Sequence, residues 1–502
     1  MRSLSKSKLM AFRQCPKRLW LEIHRRELGR HSAATEASFA IGHQVGEIAR
    51  HLYDPQQTGA LVDAQAEGFE AAFARSQDLL GAERAQPVFE AGLRAAGALA
   101  FADVMLPAGA GTQRTWRMVE VKSSTGVKDY HRDDTAVQAY VARRAGVPLS
   151  AIALAHIDSQ WVYPGGGDYR GLLVEQDLSE QAFARAGEVE AWIAQAQAIA
   201  GLPDEPEMTT GRHCGEPYEC GFLDHCQSQE PRAEYPVQWL PRVQSKALKA
   251  LIEQDGVSDM RDVPDALLNE RQLRVKAQTL SGQTWFDAAG AAADLAAHGL
   301  PAVFLDFETI QFAVPIWPGT RPYQQLPFQF SLHRLSGAGE LMHQSFLDLS
   351  GGDPSRAFAW ALVDNCGQDG PVFVYNAAFE KTRIRELAER FPDMQRPLLA
   401  INARVVDLLP VAERRYYHPD QHGSWSIKRV LPTIVPDLRY DELDGVQDGG
   451  MAMSAFQEAI QVQTAPARKM QIQCQLEDYC RLDTLAMVRL WQFFTGRIGR
   501  AS

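Results

Sequence analysis

Two stretches of this chain set charged side chains two residues apart on short apolar segments. Met118-Val-Glu120-Val121-Lys122-Ser-Ser-Thr125 reads as a buried strand on which Glu120 and Lys122 share a face. Ala302-Val-Phe-Leu-Asp306-Phe-Glu308-Thr309 reads likewise, with Asp306 and Glu308 together. Burying such groups costs desolvation energy that a bound cation or a paired charge offsets. Converging carboxylates are the donors that hard divalent cations take, and an adjacent lysine can orient a water or steady a phosphate. The chemistry implied is metal-assisted hydrolysis of a phosphate ester. The competing reading is a solvated ion pair, which neither E-x-K nor D-x-E excludes alone.

The elements around the first stretch come in a definite order. A strand over Ala100–Leu106 carries Asp103, a hairpin with Gly109 and Gly111 leads into the Glu120 strand, and a helix over Asp134–Arg144 carries Gln138. Ile152–Ile157 reads as a further strand, Tyr163–Asp168 as a turn, and Leu178–Ile199 as an amphipathic helix ended by Pro203–Pro206. This succession resembles the PD-(D/E)XK nucleases, specifically their RecB-like branch. The resemblance implies a restriction-endonuclease-like domain over residues 1–232. In it Asp103, Glu120 and the Val121 carbonyl would bind metal, Lys122 would assist the attacking water, and Gln138 would support the site. Where that branch has Gly-x-x-x-His, this chain has Gly42-His-Gln-Val-Gly46, and Gln-x-x-x-Tyr is reduced to Gln138-Ala-Tyr140. His43, Glu47 and Glu90 are the candidate substitute ligands.

Cysteines form a second pattern. Cys15-Pro-Lys-Arg-Leu-Trp20 lies on Ser3–Glu27, a helical stretch with Ser5 as its cap, and Cys214, Cys220 and Cys226 follow far downstream. No apolar run approaches the ~18 residues of a membrane span, and the basic N-terminus has no apolar leader core. The expected location is the cytoplasm, where thiols stay reduced and clustered cysteines read as metal ligands. Zinc is one candidate, because His213 and His225 flank the cysteines. One N-terminal cysteine plus a C-terminal trio also resembles the iron–sulfur RecB-like nucleases, which include the CRISPR-adaptation nucleases and the AddB-type helicase-nuclease subunit. That resemblance implies a [4Fe–4S] cluster on Cys15, Cys214, Cys220 and Cys226, stapling the two ends of the domain together. Cys366, Cys474 and Cys480 are expected to be buried as small hydrophobes.

Residues 233–300 read as a helical linker. Ala247–Val263 has the spacing of two helices meeting at Gly256, faintly similar to a helix-hairpin-helix. Beyond residue 301, Phe328–His333 reads as a return strand and Pro371–Asn376 as a strand running into a helix with Glu380. Val405-Val-Asp407 follows, and a final helix carries Tyr479 and Asp483, four apart and so on one face. This set resembles the DEDD 3′–5′ exonucleases of the RNase H-like fold, in their tyrosine form. It implies that Asp306, Glu308, Glu380 and Asp483 hold two Mg²⁺ or Mn²⁺ and that Tyr479 aligns water, with Asp407 a possible contributor because Glu380 replaces the family's aspartate. Tyr416–Lys428, rich in aromatic, histidine and basic residues, would either stack bases and hold phosphate near the active site or pack as a loop on the final helix.

The net charge is −11, but residues 1–30 hold nine Lys/Arg against two Glu, a net of +7, so the remainder carries −18. A local basic face suits phosphate contact. Hydrophobic content of 45 % and charged content of 23 % are those of a globular protein and exclude a disordered or fibrous chain. The whole reads as an α/β protein with a restriction-endonuclease-like domain, a helical linker and an RNase H-like exonuclease domain over 301–502, and resembles a bacterial family that carries both halves on one chain. The expected function is a metal-dependent nuclease acting on nucleic acid, DNA in preference to RNA, with no membrane partner. The alternative is a nucleic-acid-binding or scaffold protein in which one or both sites are inactive.

Overall fold

The computed structural model describes residues 3–109 and 114–497, with the side chains of Ala33 and Ala34 excepted. Of the expected hairpin, Gly109 is described and Gly111 lies outside the described residues. The chain is mixed α/β and divides into two compact units, residues 1–231 with 312–323 and residues 232–311 with 324–502. No described helix is long and apolar enough to cross a membrane.

In the first unit seven strands form one sheet. They are β1 (Leu4–Ser5), β2 (Ala60–Leu61), β3 (Val88–Ala95), β4 (Ala98–Ala108), β5 (Thr115–Lys122), β6 (Leu149–Ile157) and β7 (Leu173–Asp177), ordered β2-β3-β4-β5-β6-β7 with β1 alongside β4. Helix α1 (Lys6–Gln14) is capped by Ser5, whose Oγ accepts from the Lys8 amide at 3.3 Å, and Cys15-Pro16 breaks it from α2 (Pro16–His24). Pro16 fits the first turn of α2 because the missing N–H has no helical partner there. Strands β5 and β6 pair in parallel, which demands a crossover, and α3 (Asp129–Arg144) supplies it. On β5, Trp116, Met118 and Glu120 share a face by strand alternation, and the core beneath α3 unites Trp116 and Met118 with Ala136, Val137, Ala139 and Tyr140. That alternation delivers Glu120 to the underside of α3.

The second unit has a short strand, β8 (Trp285–Phe286), and a separate five-stranded sheet. The strands of that sheet are β9 (Ala302–Ile310), β10 (Leu326–Leu335), β11 (Leu341–Leu347), β12 (Val372–Val374) and β13 (Val405–Asp407), ordered β11-β10-β9-β12-β13. Strands β9 to β11 are antiparallel, and β12 and β13 run parallel to β9. Val303, Leu305 and Phe307 enter a core with Phe358, Leu362 and Ile384. Alternation therefore turns Phe304, Asp306 and Glu308 to the other face, where Phe304 meets Trp491 of α6 (Pro466–Phe494). Two further helices matter to the site, α4 (Ala378–Arg390) and α5 (Ile427–Ile434).

Three expectations are corrected. The helix expected over Leu178–Ile199 breaks at Arg185, which leaves the helical region with ψ 11° and pairs with Asp133 and Glu188. The hairpin at Gly256 has its first helix, Lys246–Glu253, but only a short turn at Met260–Asp262 where the second was expected. There Asp259 takes the Arg261 amide and guanidinium and the Tyr235 amide, which fixes a turn rather than a helix. Residues 233–300 are not a separate linker either. Trp285–Phe286 pairs with Tyr416–Tyr417, and Arg415 binds Asp287 and Asp294, so this stretch belongs to the second unit.

The loop before α5 requires one glycine. Gly423 has φ +74°, and a Cβ there would stand 1.7 Å from the Trp239 carbonyl oxygen. Gly423→Ala is expected to cost about 1–3 kcal/mol through backbone strain and the forced shift. Urea denaturation checks this, and an unchanged midpoint refutes it.

Candidate functional site

In the second unit, acidic groups from three elements meet in a cleft of about 630 Å³, its open mouth included. Carboxylate oxygens of Asp306, Glu308 and Asp483 all lie within 4.8 Å of one another, and among the described residues this is the group whose donors are close enough to share one cation. Strand alternation sets the first two. Helix α6 brings the third and is fixed to the sheet by buried polar contacts: Gln329 Nε2 donates to the Leu476 carbonyl at 2.8 Å, and Thr484 Oγ1 lies 2.7 Å from Ser331 Oγ and 2.8 Å from His333 Nδ1. Glu380, on the first turn of α4, lines the same cleft, is 2 % exposed, and has an Oε2 without a hydrogen-bond partner. A buried orphan acceptor beside three crowded carboxylates is a site that a cation would satisfy.

The electrostatics say the same. Burial pushes Glu308 up to about 8, with the Asp483 charge adding to it, and burial, with the Asp407 charge adding to it, takes Glu380 to about 8. Burial, then the Asp483 and Glu308 charges, hold Asp306 well above the carboxylate range. Asp483 rises only to about 6, because burial is opposed by hydrogen bonds from Tyr440 and Tyr479 and by the Lys428 charge. Tyr440 donates to Asp483 Oδ1 at 2.6 Å, and Lys428 Nζ donates to the Tyr479 hydroxyl at 3.2 Å.

Asp407 has a different role from the one weighed for it. Its carboxylate accepts the amides of Asn376, Ala377 and Leu409 at 2.9–3.0 Å, so it pins the turn that starts α4 and carries Glu380. The Tyr416–Lys428 segment is packing, not a stacking platform. Tyr416, Tyr417 and Trp425 are buried, Tyr417 meets Thr279 at 2.9 Å, and Trp425 Nε1 donates to the Tyr416 carbonyl at 2.8 Å. Only its last two residues, Ile427 and Lys428, reach the cleft. Sequence reading missed Lys428 and Tyr440 as site residues, and no local pattern marks either.

In the first unit the expected residues also assemble, with two additions. Asp103 Oδ2 accepts the Val121 amide at 2.7 Å. Glu120 Oε1 accepts from Lys122 at 2.5 Å and from Lys6 at 2.8 Å, while Gln138 Nε2 reaches Glu120 Oε2 at 2.5 Å and Asp134 Oδ1 at 3.0 Å. Asp134 also pairs with Lys122 at 2.8 Å and with Lys6 at 3.2 Å. Two lysines and two acids thus form a closed ring. Burial works against both ammonium charges, yet Asp134 and Glu120 override it and raise Lys6 and Lys122, while Asp134 is held low by the lysines despite its burial. Asp134 was legible in principle, four residues before Gln138 on one helical face. Lys6 was not.

Of the substitute ligands, Glu90 is half-buried and stands opposite Asp103, between the register pairs Phe89–Val104 and Ala91–Ala102. It adopts φ +55°, a strained value for a strand glutamate. Burial and the Glu120 charge raise it. His43 is exposed, and Glu47 is exposed and 3.8 Å from Arg50. The basic face expected over residues 1–30 is largely neutralised: Lys6, Arg13, Lys17, Arg18 and Arg25 are ion-paired with Glu120, Asp133, Glu205, Glu22 and Glu27. Arg2 lies outside the described residues.

Cys15, Cys214, Cys220 and Cys226 line one pocket with Lys17 and Arg18. Four thiols are the donor set of an iron–sulfur cluster. Of the histidines weighed for zinc, His213 lines the same pocket. Its Nε2 is 3.6 Å from Cys214 Sγ, a separation that two donors on one tetrahedral zinc can have, while His225 is engaged by Glu205 at 3.2 Å. Cys366 and Cys480 are buried as expected, but Cys474 is exposed, because it faces away from Ile472 and Leu476 on α6.

Residues 303–426 match a protein family described as a domain of unknown function (DUF2779). No curated protein matches the chain. The matched segment contains Asp306, Glu308 and Glu380, and ends short of Lys428, Tyr440 and Asp483.

A pH prediction follows from Glu380. Its folded value, about 8, lies above its ordinary 4.5, so between the two the native state holds a proton that the unfolded chain releases. Its contribution to stability is therefore present below the ordinary value and lost as pH rises through the folded one. Glu380→Gln removes that slope and, in chelator, is expected to gain on the parent by on the order of a few kcal/mol between about pH 5 and about pH 8. Denaturation at the two pH values checks it. A constant difference refutes it.

Proposed function

We propose that this chain is a metal-dependent nuclease that hydrolyses phosphodiester bonds, with its principal site in the cleft of the second unit. The observation that carries the reading is the crowding of Asp306, Glu308 and Asp483 within 4.8 Å beside the unpartnered Glu380. Such a group is costly unless a cation offsets it. In this reading the second unit is an RNase H-like exonuclease of the DEDD type acting from a 3′ end, and the first unit is a RecB-like PD-(D/E)XK domain. Mg²⁺ or Mn²⁺ bound at the carboxylates would supply charge neutralisation for the attacking and leaving oxygens. Asp306, Glu308, Glu380 and Asp483 would hold it, and Tyr479 would orient the attacking water. The substrate is nucleic acid, DNA in preference to RNA.

For the first unit a second reading, a nucleic-acid-binding or scaffold role, is favoured by the closed ring around Glu120, whose two oxygens are occupied by Lys6, Lys122 and Gln138. Labelled single- and double-stranded substrates with Mn²⁺ separate the possibilities. Asp306→Ala is expected to lower cleavage by at least roughly a hundredfold. Lys122→Ala reports on the first unit: a comparable loss makes it catalytic, and full activity assigns it the binding role. Cleavage lost in neither variant overturns the two-site nuclease.

For the thiol pocket the reading is a [4Fe–4S] staple. An anaerobic preparation is expected to be brown and to contain iron and sulfide, and Cys15→Ala to lose both. Colourless, zinc-loaded protein overturns this.

A further inference from the structure

Among the described residues lining the acidic cleft, Lys428 is the single cation. It is held on several sides: Nζ donates to the Gln447 carbonyl at 2.6 Å and to the Tyr479 hydroxyl at 3.2 Å, and lies 4.9 Å and 5.2 Å from the ring centroids of Tyr479 and Tyr440. An ammonium group has three donors and no acceptor, whereas a phenol has one donor and accepting lone pairs. In the Lys428–Tyr479 contact the lysine must therefore donate and the phenol oxygen accept. The single phenol proton is left for another partner. Asp483 lies one helical turn on, on the same face of α6, and already receives Tyr440 at 2.6 Å.

We propose that Lys428 is a positioning residue that acts through Tyr479: by donating to the tyrosine oxygen it commits the phenol proton toward Asp483 and fixes how that oxygen faces the cleft. This rests on the nuclease reading of the same cleft. The order Lys428 to Tyr479 to Asp483, with Tyr440 already holding Asp483 Oδ1, leaves the tyrosine one orientation. Without the lysine the hydroxyl can turn its proton into the cleft and meet an attacking water in the wrong sense. The rival role is direct contact between Lys428 and a substrate phosphate. Its anchorage on the Gln447 carbonyl and two aromatic rings favours the positioning role, since a side chain so pinned has little reach left.

The test is a double-mutant cycle in the full-length chain with Lys428→Met, Tyr479→Phe and the pair, read as kcat and KM on a labelled single-stranded oligonucleotide with Mn²⁺. Each single change is expected to lower kcat roughly a hundredfold with KM unchanged, because misplacing one reacting group costs about that much. The pair is expected to be no worse than Tyr479→Phe alone, and Lys428→Arg to recover part of the loss. Losses that multiply, or a raised KM with kcat intact, overturn the proposal. If Lys428→Met does not give a normal thermal transition, Lys428→Gln takes its place in the cycle. The same cycle read as Mn²⁺ affinity is independent of turnover. A parent chain that binds Mn²⁺ non-additively but does not cleave overturns the nuclease reading and keeps the coupling, additive effects in both readouts overturn the coupling alone, and a parent that neither cleaves nor binds Mn²⁺ overturns both.

Discussion

Repulsion between buried like charges is the constraint to which the second unit is built. Two carboxylates at about 4 Å and an effective dielectric near 20 repel by roughly 4 kcal/mol, and Asp306, Glu308 and Asp483 crowd within 4.8 Å in a largely buried cleft. Nothing in the trio itself favours that arrangement. It is imposed from outside, by β-strand alternation and by a helix that cannot back away. Gln329, Ser331 and His333 on β10 grip Leu476, about one turn before Tyr479, and Thr484, the residue next to Asp483. Those contacts are themselves buried polar groups, so releasing them would leave donors and acceptors unpaired. The strain of the acidic group is thus balanced against the cost of undoing a polar clamp.

The first unit meets the same problem with the opposite solution. Its buried acids are neutralised in place by Lys6 and Lys122, and Gln138 fills the remaining acceptor positions. Such a ring stabilises only in so far as Coulomb attraction exceeds the desolvation of four charges, and its removal piece by piece would be costly. Asp103 and Glu90, on the neighbouring strands, stay outside the ring and are pushed upward in proton affinity, as the carboxylates of the other cleft are. One chain therefore contains a self-compensated acidic site and an uncompensated one.

Much of this was legible because it is local. Alternation on a strand put Asp306 with Glu308 and Glu120 with Lys122, and helical spacing put Tyr479 with Asp483. The strands and the crossover helix with Gln138 also follow from patterns within one element, whereas the set of four thiols, with Cys15 far upstream of the others, was implied only by the resemblance to a family. What escaped is long-range. Lys6 meets Glu120 across 114 positions of sequence, and Lys428 meets Tyr479 across 51. No periodicity encodes such a pairing. Local chemistry also misled: Gly256 suggested a hairpin of helices, but the Asp259 side chain gave the backbone amides a better partner than a second helix would. Tyr416–Trp425 carried the composition of a base-stacking surface, yet its aromatic rings had more to gain from burial against α6 and Thr279 than from exposure.

The contrast between the two acidic sites constrains their chemistry. A cation entering the second unit's cleft gains donors that nothing else satisfies, Glu380 Oε2 among them, and relieves repulsion on arrival. A cation approaching Glu120 must first displace an ammonium group bound at 2.5 Å or 2.8 Å, trading one favourable charge contact for another. The second exchange has little net electrostatic drive unless a phosphate arrives with the metal and takes up the displaced lysine. Lysine is suited to that handover, being a compact charge on a flexible stem rather than a fixed fork. In the nuclease reading proposed above, metal entry at the first site would therefore need a substrate phosphate and entry at the second would not, and the difference originates in where two lysines happen to fall along the chain.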